Sequence, residues 1–297
     1  MKKRTKHLVN IGITGILTIF AFGSLSAQNS LLWKIEGKGI KNPSYLFGTV
    51  HIYDTAEFKI PKVVMERLEQ CSVYAMEIDP ATVNQLAVGS RMTITGNNTL
   101  DLLMGKEAFD KLMTFPVPAI MGSDAVKRIK PVFTTSLLYL ENIAQQPQSI
   151  DQDLYSYAKI RHKKVRGIET LEEQLDAIDA IPIKEQADML KEFLLKDEDP
   201  KEAIKKLWDA YKIQNFEDLE NELIESNASA LFTNELITKR NINMADRISA
   251  MIAKDGSVFA AIGALHINNL QDTKGVVLLL KEKGYTLTPV EFEFTTN

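Results

Sequence analysis

Two stretches of the chain carry the same order of parts, and that repetition narrows the possible folds more than any other feature. SYLFGTVH is followed by a helix-like run and then SVYAMEID; VFAAIGALH is followed by a helix-like run and then YTLTPVEFEF. Each reads as strand, G-x-x-H, loop, helix, strand. His51 stands 26 residues before Glu77, and His266 stands 25 residues before Glu291. A βαβ unit joins parallel strands through a helical crossover, so two such units predict parallel neighbours in one sheet. Between them, over roughly residues 81–255, the pattern changes. Apolar residues recur at three- and four-residue spacing in LLMGKEAFDKLM, FTTSLLYLENIAQ, LYSYAKIRH and KEQADMLKEFLL, which is the period of helices. Asp199, Pro200 and Glu202 form a complete helix start, and a long helix is expected over about 228–253. One strand, KKVRGIE at 163–169, interrupts this region. The expected fold is α/β: duplicated βαβ units forming one sheet, from residues 28–80 and 257–297, interrupted by a mostly helical insertion over 81–256.

The N-terminus has a different purpose. MKKRTKH is basic, LVNIGITGILTIFAFG is apolar, and SLSAQ ends in small residues. That order is a secretory signal peptide, expected to be cut after Ala27. The product is then periplasmic or secreted, with no stable membrane span once the leader is gone, because no later apolar run is long and uncharged enough. Removing residues 1–27 takes away four basic residues and no acid, leaving 31 basic and 39 acidic side chains, a net of −8. No concentrated basic face remains, so nucleic acid is not an expected partner. The single cysteine, Cys71, excludes an internal disulfide framework and multi-cysteine zinc sites.

Three histidines remain after residue 27: His51, His162 and His266. His162 sits in the polar helix end KIRHKK and reads as a solvated residue. His51 and His266 share a setting. Gly48 and Gly263 each stand three residues before a histidine, at a strand end where a missing side chain lets a neighbour or ligand come close. Glu77 ends SVYAM, and Glu169 ends KVRGI. In an open parallel sheet the ligand crevice forms outside the carboxyl ends of the strands. Four ionisable side chains are therefore expected at one rim. Two histidines and a carboxylate are common ligands for a divalent ion, leaving a position for water. The same rim could instead sequester a peptide, haem or metal without turnover.

At these residues the chain resembles the TraB/GumN family, which includes the Tiki metalloproteases of animals. The matching pieces are LLWKIEG…PSYLFGTVHI, SVYAMEID, SIDQDLYSYAKIRHKKVRGIETLEEQ, TKRNINMADRI and FAAIGALHI…GVVLLLKEKGYTLTPV. The family's G-x-x-H motifs fall on Gly48 with His51 and on Gly263 with His266, and its acidic position falls on Glu77. Further family-like positions are Asp151, Glu169, Arg240 and Asn241. Lys239 stands where the family usually has Glu, and Ser149 where it commonly has Gly. The resemblance implies an exported metal-dependent hydrolase, a peptidase acting on a peptide or protein. His51, Glu77 and His266 would hold a divalent ion (Mn, Co or Zn). Glu169 is then the candidate general base and Arg240 the candidate oxyanion or carboxylate partner. The rival reading is a non-catalytic periplasmic binding protein.

Overall fold

The computed structural model describes residues 29–55, 57–142, 147–196, 199–223, 229–270 and 272–295. The expected leader, residues 1–27, lies outside these. The strands are β1 (Leu32–Gly37), β2 (Ser44–Thr49), β3 (Tyr53–Asp54), β4 (Val73–Ile78), β5 (Pro147–Gln148), β6 (Lys164–Glu169), β7 (Val258–Gly263) and β8 (Tyr285–Pro289). Six of them form one mixed sheet in the order β6-β4-β7-β2-β1-β8, and β3 pairs separately with β5. β6, β4, β7 and β2 are mutually parallel, while β1 runs antiparallel to both β2 and β8. The fold is α/β, as the sequence pattern predicts, with one main sheet and the small β3-β5 pair beside it.

The four parallel strands sit where their composition allows. VYAMEI of β4 and VFAAIG of β7 are apolar without alternation, and each is buried over its first five residues. A strand of that kind needs cover on both faces. The helix Lys239–Asp255 supplies part of it through Met244, Ala245, Ile248 and Ile252, a buried stripe at helical spacing that ends at Gly256, φ 88°. The insertion has a second apolar cluster of its own, including Leu100, Met104, Leu112, Leu138 and Leu190.

Three expectations are corrected here. The parallel strands of the first unit are not neighbours: β7 of the second unit is inserted between β2 and β4. β8 closes the opposite edge beside β1 and stops at Pro289, so Glu291 lies beyond the strand and is exposed. It is no structural counterpart of Glu77. The expected long helix is also not uniform. A short helix Ala230–Thr233 runs into a π-helical turn, Asn234–Thr238, before Lys239–Asp255. LLMGKEAFDKLM likewise splits into Leu100–Met104 and Lys106–Leu112 at Gly105, φ 86°.

Candidate functional site

The parallel register brings four chain segments to one rim. Thr49 pairs with Gly263 and Ile78 with Glu169, so the carboxyl ends of β2, β7, β4 and β6 are level. His51 follows β2 by two residues, and His266 closes a short 3-10 turn, Ala264–His266, after β7. Glu77 and Glu169 are the last or next-to-last residues of β4 and β6. Glu77, Glu169 and His266 are buried, whereas the His51 side chain is 66% exposed.

The two glycines act differently. A Cβ on Gly48 would lie 2.9 Å from Ile267 Cγ1, 3.0 Å from Leu31 Cδ2 and 3.2 Å from the Ala264 Cα. Gly48 therefore serves close packing beneath the second histidine loop. Tyr211 also donates its hydroxyl to the Gly48 carbonyl at 2.8 Å. Gly263 leaves a hollow instead. Its missing Cβ position is 3.2 Å from Glu77 Oε1, 3.5 Å from His266 Cδ2 and 3.9 Å from His51 Nε2. The three side chains thus face one point, and the Gly263 N–H donates to Glu77 Oε1 at 2.6 Å.

Each imidazole is held from behind. Asp151 Oδ2 accepts from His51 Nδ1 at 3.1 Å, and Asp151 Oδ1 accepts from the Thr49 hydroxyl at 2.9 Å. Asn241 donates its amide to the Lys274 carbonyl at 2.9 Å, which turns Oδ1 toward His266 Nδ1 at 2.6 Å. Both rings are therefore Nδ1–H donors, and Nε2 is the atom left for other chemistry. Their charges differ. The hydrogen bond to Asp151 holds the His51 pKa up at about 9, so this ring is an imidazolium at neutral pH. Burial, aided by the nearby Arg240 charge, pushes His266 down to about 3, so it is neutral.

Behind Glu77 lies a buried polar cluster. Arg240 donates through Nη2 to Glu77 Oε2 and to Glu169 Oε2, each at 2.8 Å, and through Nε to both Glu169 oxygens at 3.1–3.2 Å. Gln174 Nε2 bridges the same carboxylates at 2.9 and 3.2 Å. The Leu236 carbonyl, in the π-helical turn, accepts Arg240 Nη1 at 3.2 Å. Seven residues on, Arg247 clasps Glu173 and the Ile168 carbonyl, fixing the turn that follows β6. Thr170 and Glu173 form a capping box there. Lys239 pairs with Glu235, and Ser149 caps the helix that carries Asp151.

These contacts set an acid limb of stability. Burial would raise the Glu77 pKa, but His51, Arg240 and the Gly263 N–H outweigh it and hold the carboxyl down at about 2. Arg247 does the same to Glu173, also to about 2. Both lie below the unfolded value of about 4.3. Their stabilisation is therefore complete above about pH 5 and is lost as pH falls toward 2. Urea unfolding across that range should show stability falling with acid, and Glu77→Gln should flatten the slope. An unchanged slope in that variant would remove Glu77 from the account.

The structure brings together His51, Glu77 and His266 around Gly263, with Arg240 and Glu169 directly behind. Gly48 is apart from the hollow, in the packing below it. Gln174 and Thr49 carry no sequence signal of their own. Asp151 and Asn241 were matched by resemblance only, and their work as imidazole partners is visible in the structure alone. Outside the rim, Cys71 is buried, which pushes its thiol up to about 12. Among the described residues no helix is long and apolar enough to cross a membrane.

The resemblance implies a divalent ion at this donor set. Among the described residues, no three His, Cys, Asp or Glu side chains stand as a group that could hold a metal ion. Glu77 spends Oε1 on Gly263 and Oε2 on Arg240 and Gln174. The donor types fit once His51 gives up its Nε2 proton: two imidazoles each held at Nδ1 by a side-chain oxygen and one carboxylate, all facing Gly263.

No curated protein and no solved structure matches this chain. The TraB/PrgY/gumN family model matches residues 31–289, a span that takes in every strand of the sheet, and the chain belongs to this family.

Proposed function

We propose that the chain is an exported, divalent-metal-dependent hydrolase acting on peptide bonds. The observation that supports this most is the convergence of His51, His266 and Glu77 on the Gly263 hollow, with each imidazole held at Nδ1 by a side-chain oxygen. That backing is what metal-binding histidines require: it fixes the tautomer and orients Nε2. His51, His266 and Glu77 would hold the ion, which lowers the pKa of a bound water and polarises a carbonyl.

The other residues set this arrangement. Asp151 and Asn241 orient the rings. Arg240 neutralises and positions Glu77 while paired with Glu169. With both of its oxygens on Arg240, Glu169 is better read as a positioning residue than as a base. Arg240 places a guanidinium behind Glu77, and such a group suits a carboxylate or a developing oxyanion.

The test is metal analysis of the purified mature protein, then a peptide-library cleavage assay with and without chelator. The expected result is one divalent ion per chain and cleavage that stops on chelation. Tight binding of metal or haem with no cleavage across the library would favour the binding-protein reading instead.

A further inference from the structure

A cavity of about 310 Å³ has a wall that begins two residues beyond His266 along the chain. Its apolar lining is Trp33, Val277 and Leu278, and its polar lining includes Asn268, Asn269 and Lys281. Two Cα steps span at most about 7.6 Å, so the cavity wall begins close to the second histidine. β1 runs antiparallel to β2 with Leu32 opposite Phe47 and Trp33 opposite Leu46, so the start of β1 faces the middle of β2, on the way to its carboxyl end. The helix Val276–Glu282 reaches the cavity wall because Val277 N–H donates to the Ile267 carbonyl at 3.1 Å.

The charges here are arranged for an anion. The Lys281 ammonium lies 5.3 Å from the centroid of the Trp33 ring. Its neighbour Glu282 is engaged elsewhere, by Lys274 at 2.8 Å. Asn269 Oδ1 accepts from the Gly275 N–H at 2.9 Å, so the amide NH₂ is the end that this residue can offer a ligand. A cation and an amide donor at the edge of an apolar floor match a carboxylate next to an aliphatic group. The volume suits one or two residues.

We infer that this cavity is a subsite for the C-terminal carboxylate and last apolar side chain of a peptide, with Lys281 as the residue that selects for the free acid. The inference rests on the peptidase reading for its substrate class, but it is tested by binding alone. The full mature protein, stripped of metal, is titrated by calorimetry with N-acetyl-leucyl-leucine and with its C-terminal amide. The chain has two tryptophans, and a Trp33→Phe variant identifies the Trp33 share of the emission change.

The acid should bind about tenfold or more tightly than the amide, the loss expected for one charge-assisted contact. Trp33 emission should change with it. Lys281→Met should abolish the preference while keeping the aliphatic stem, and Lys281→Arg should retain it. Equal affinities for acid and amide, no binding of either, or a preference that survives in Lys281→Met would overturn the subsite. Acid-selective binding without any peptide cleavage would leave the subsite standing and sink the peptidase reading. Cleavage indifferent to the C-terminal charge would do the reverse.

Discussion

Arg240→Met should be among the most damaging single substitutions in the chain, lowering stability by about 3–5 kcal/mol in urea unfolding at pH 7. The reason is its two partners. The side chains of Glu77 and Glu169 are 9% and 3% exposed, and Arg240 at 15% lies between them. Without the guanidinium, two carboxylates face each other out of water with only the Gln174 amide bridging them. Arg240→Lys should recover part of the loss, because a point charge cannot reproduce a fork that bonds both acids at once. Removing the charges together is the informative control. The triple variant Glu77→Gln, Glu169→Gln, Arg240→Met should regain much of the stability, since replacing a whole buried charge cluster costs less than orphaning part of it. If Arg240→Met unfolds like the parent, the cluster does not hold the rim. Glu169→Gln alone separates two roles. A positioning residue predicts unchanged metal content and a drop in turnover below about tenfold, whereas a general base predicts about 10²–10⁴-fold.

The second large effect is expected at the histidines, and the two should differ in kind. His51 is mostly exposed, yet it pairs with Asp151 and holds the Glu77 charge, so His51→Ala should cost up to about 1 kcal/mol at pH 7. His266 is buried against Asn241, so His266→Ala strands a buried carbonyl oxygen and should cost about 1–3 kcal/mol before any cavity is counted. Metal affinity should fall in both, by more than the about 10–100-fold typical of losing a partner behind a ligand. Asp151→Asn should fall inside that smaller range, because it loosens His51 without removing a donor. Isothermal titration with Zn²⁺ on the three variants gives the order. Equal affinities in His51→Ala and the parent would separate His51 from any metal role.

Much of the rim was readable from the sequence because it obeys short-range rules. A strand ending in glycine and followed by histidine fixes where the imidazole emerges, and SVYAMEI and KVRGIE fix where the carboxylates emerge. The strand order was not readable. β7 is equally apolar on both faces, and nothing in VFAAIG says that it slides between β2 and β4. That insertion is what brings Gly263 against Glu77. The apparent match of Glu291 to Glu77 failed for the same reason: period-two alternation in YTLTPVEFEF continues past the point where β1 ends its pairing with β8. Gln174 was invisible because an amide in the helix ETLEEQLD looks like any solvated residue until the sheet places it beneath two carboxylates. The π-helical turn before Arg240 was hidden too, since one extra residue in a turn leaves the apolar spacing of the following helix intact.

The claim that His51 and His266 share one ion is tested most directly by nitrogen-detected NMR of ¹⁵N-histidine-labelled protein comprising residues 28–297 during addition of Zn²⁺. The account predicts that the Nε2 signals of His51 and His266 change together and saturate at one equivalent, while His162, at an exposed helix end, does not respond. A response from His51 alone, from His162 alone, or from none of the three would contradict it.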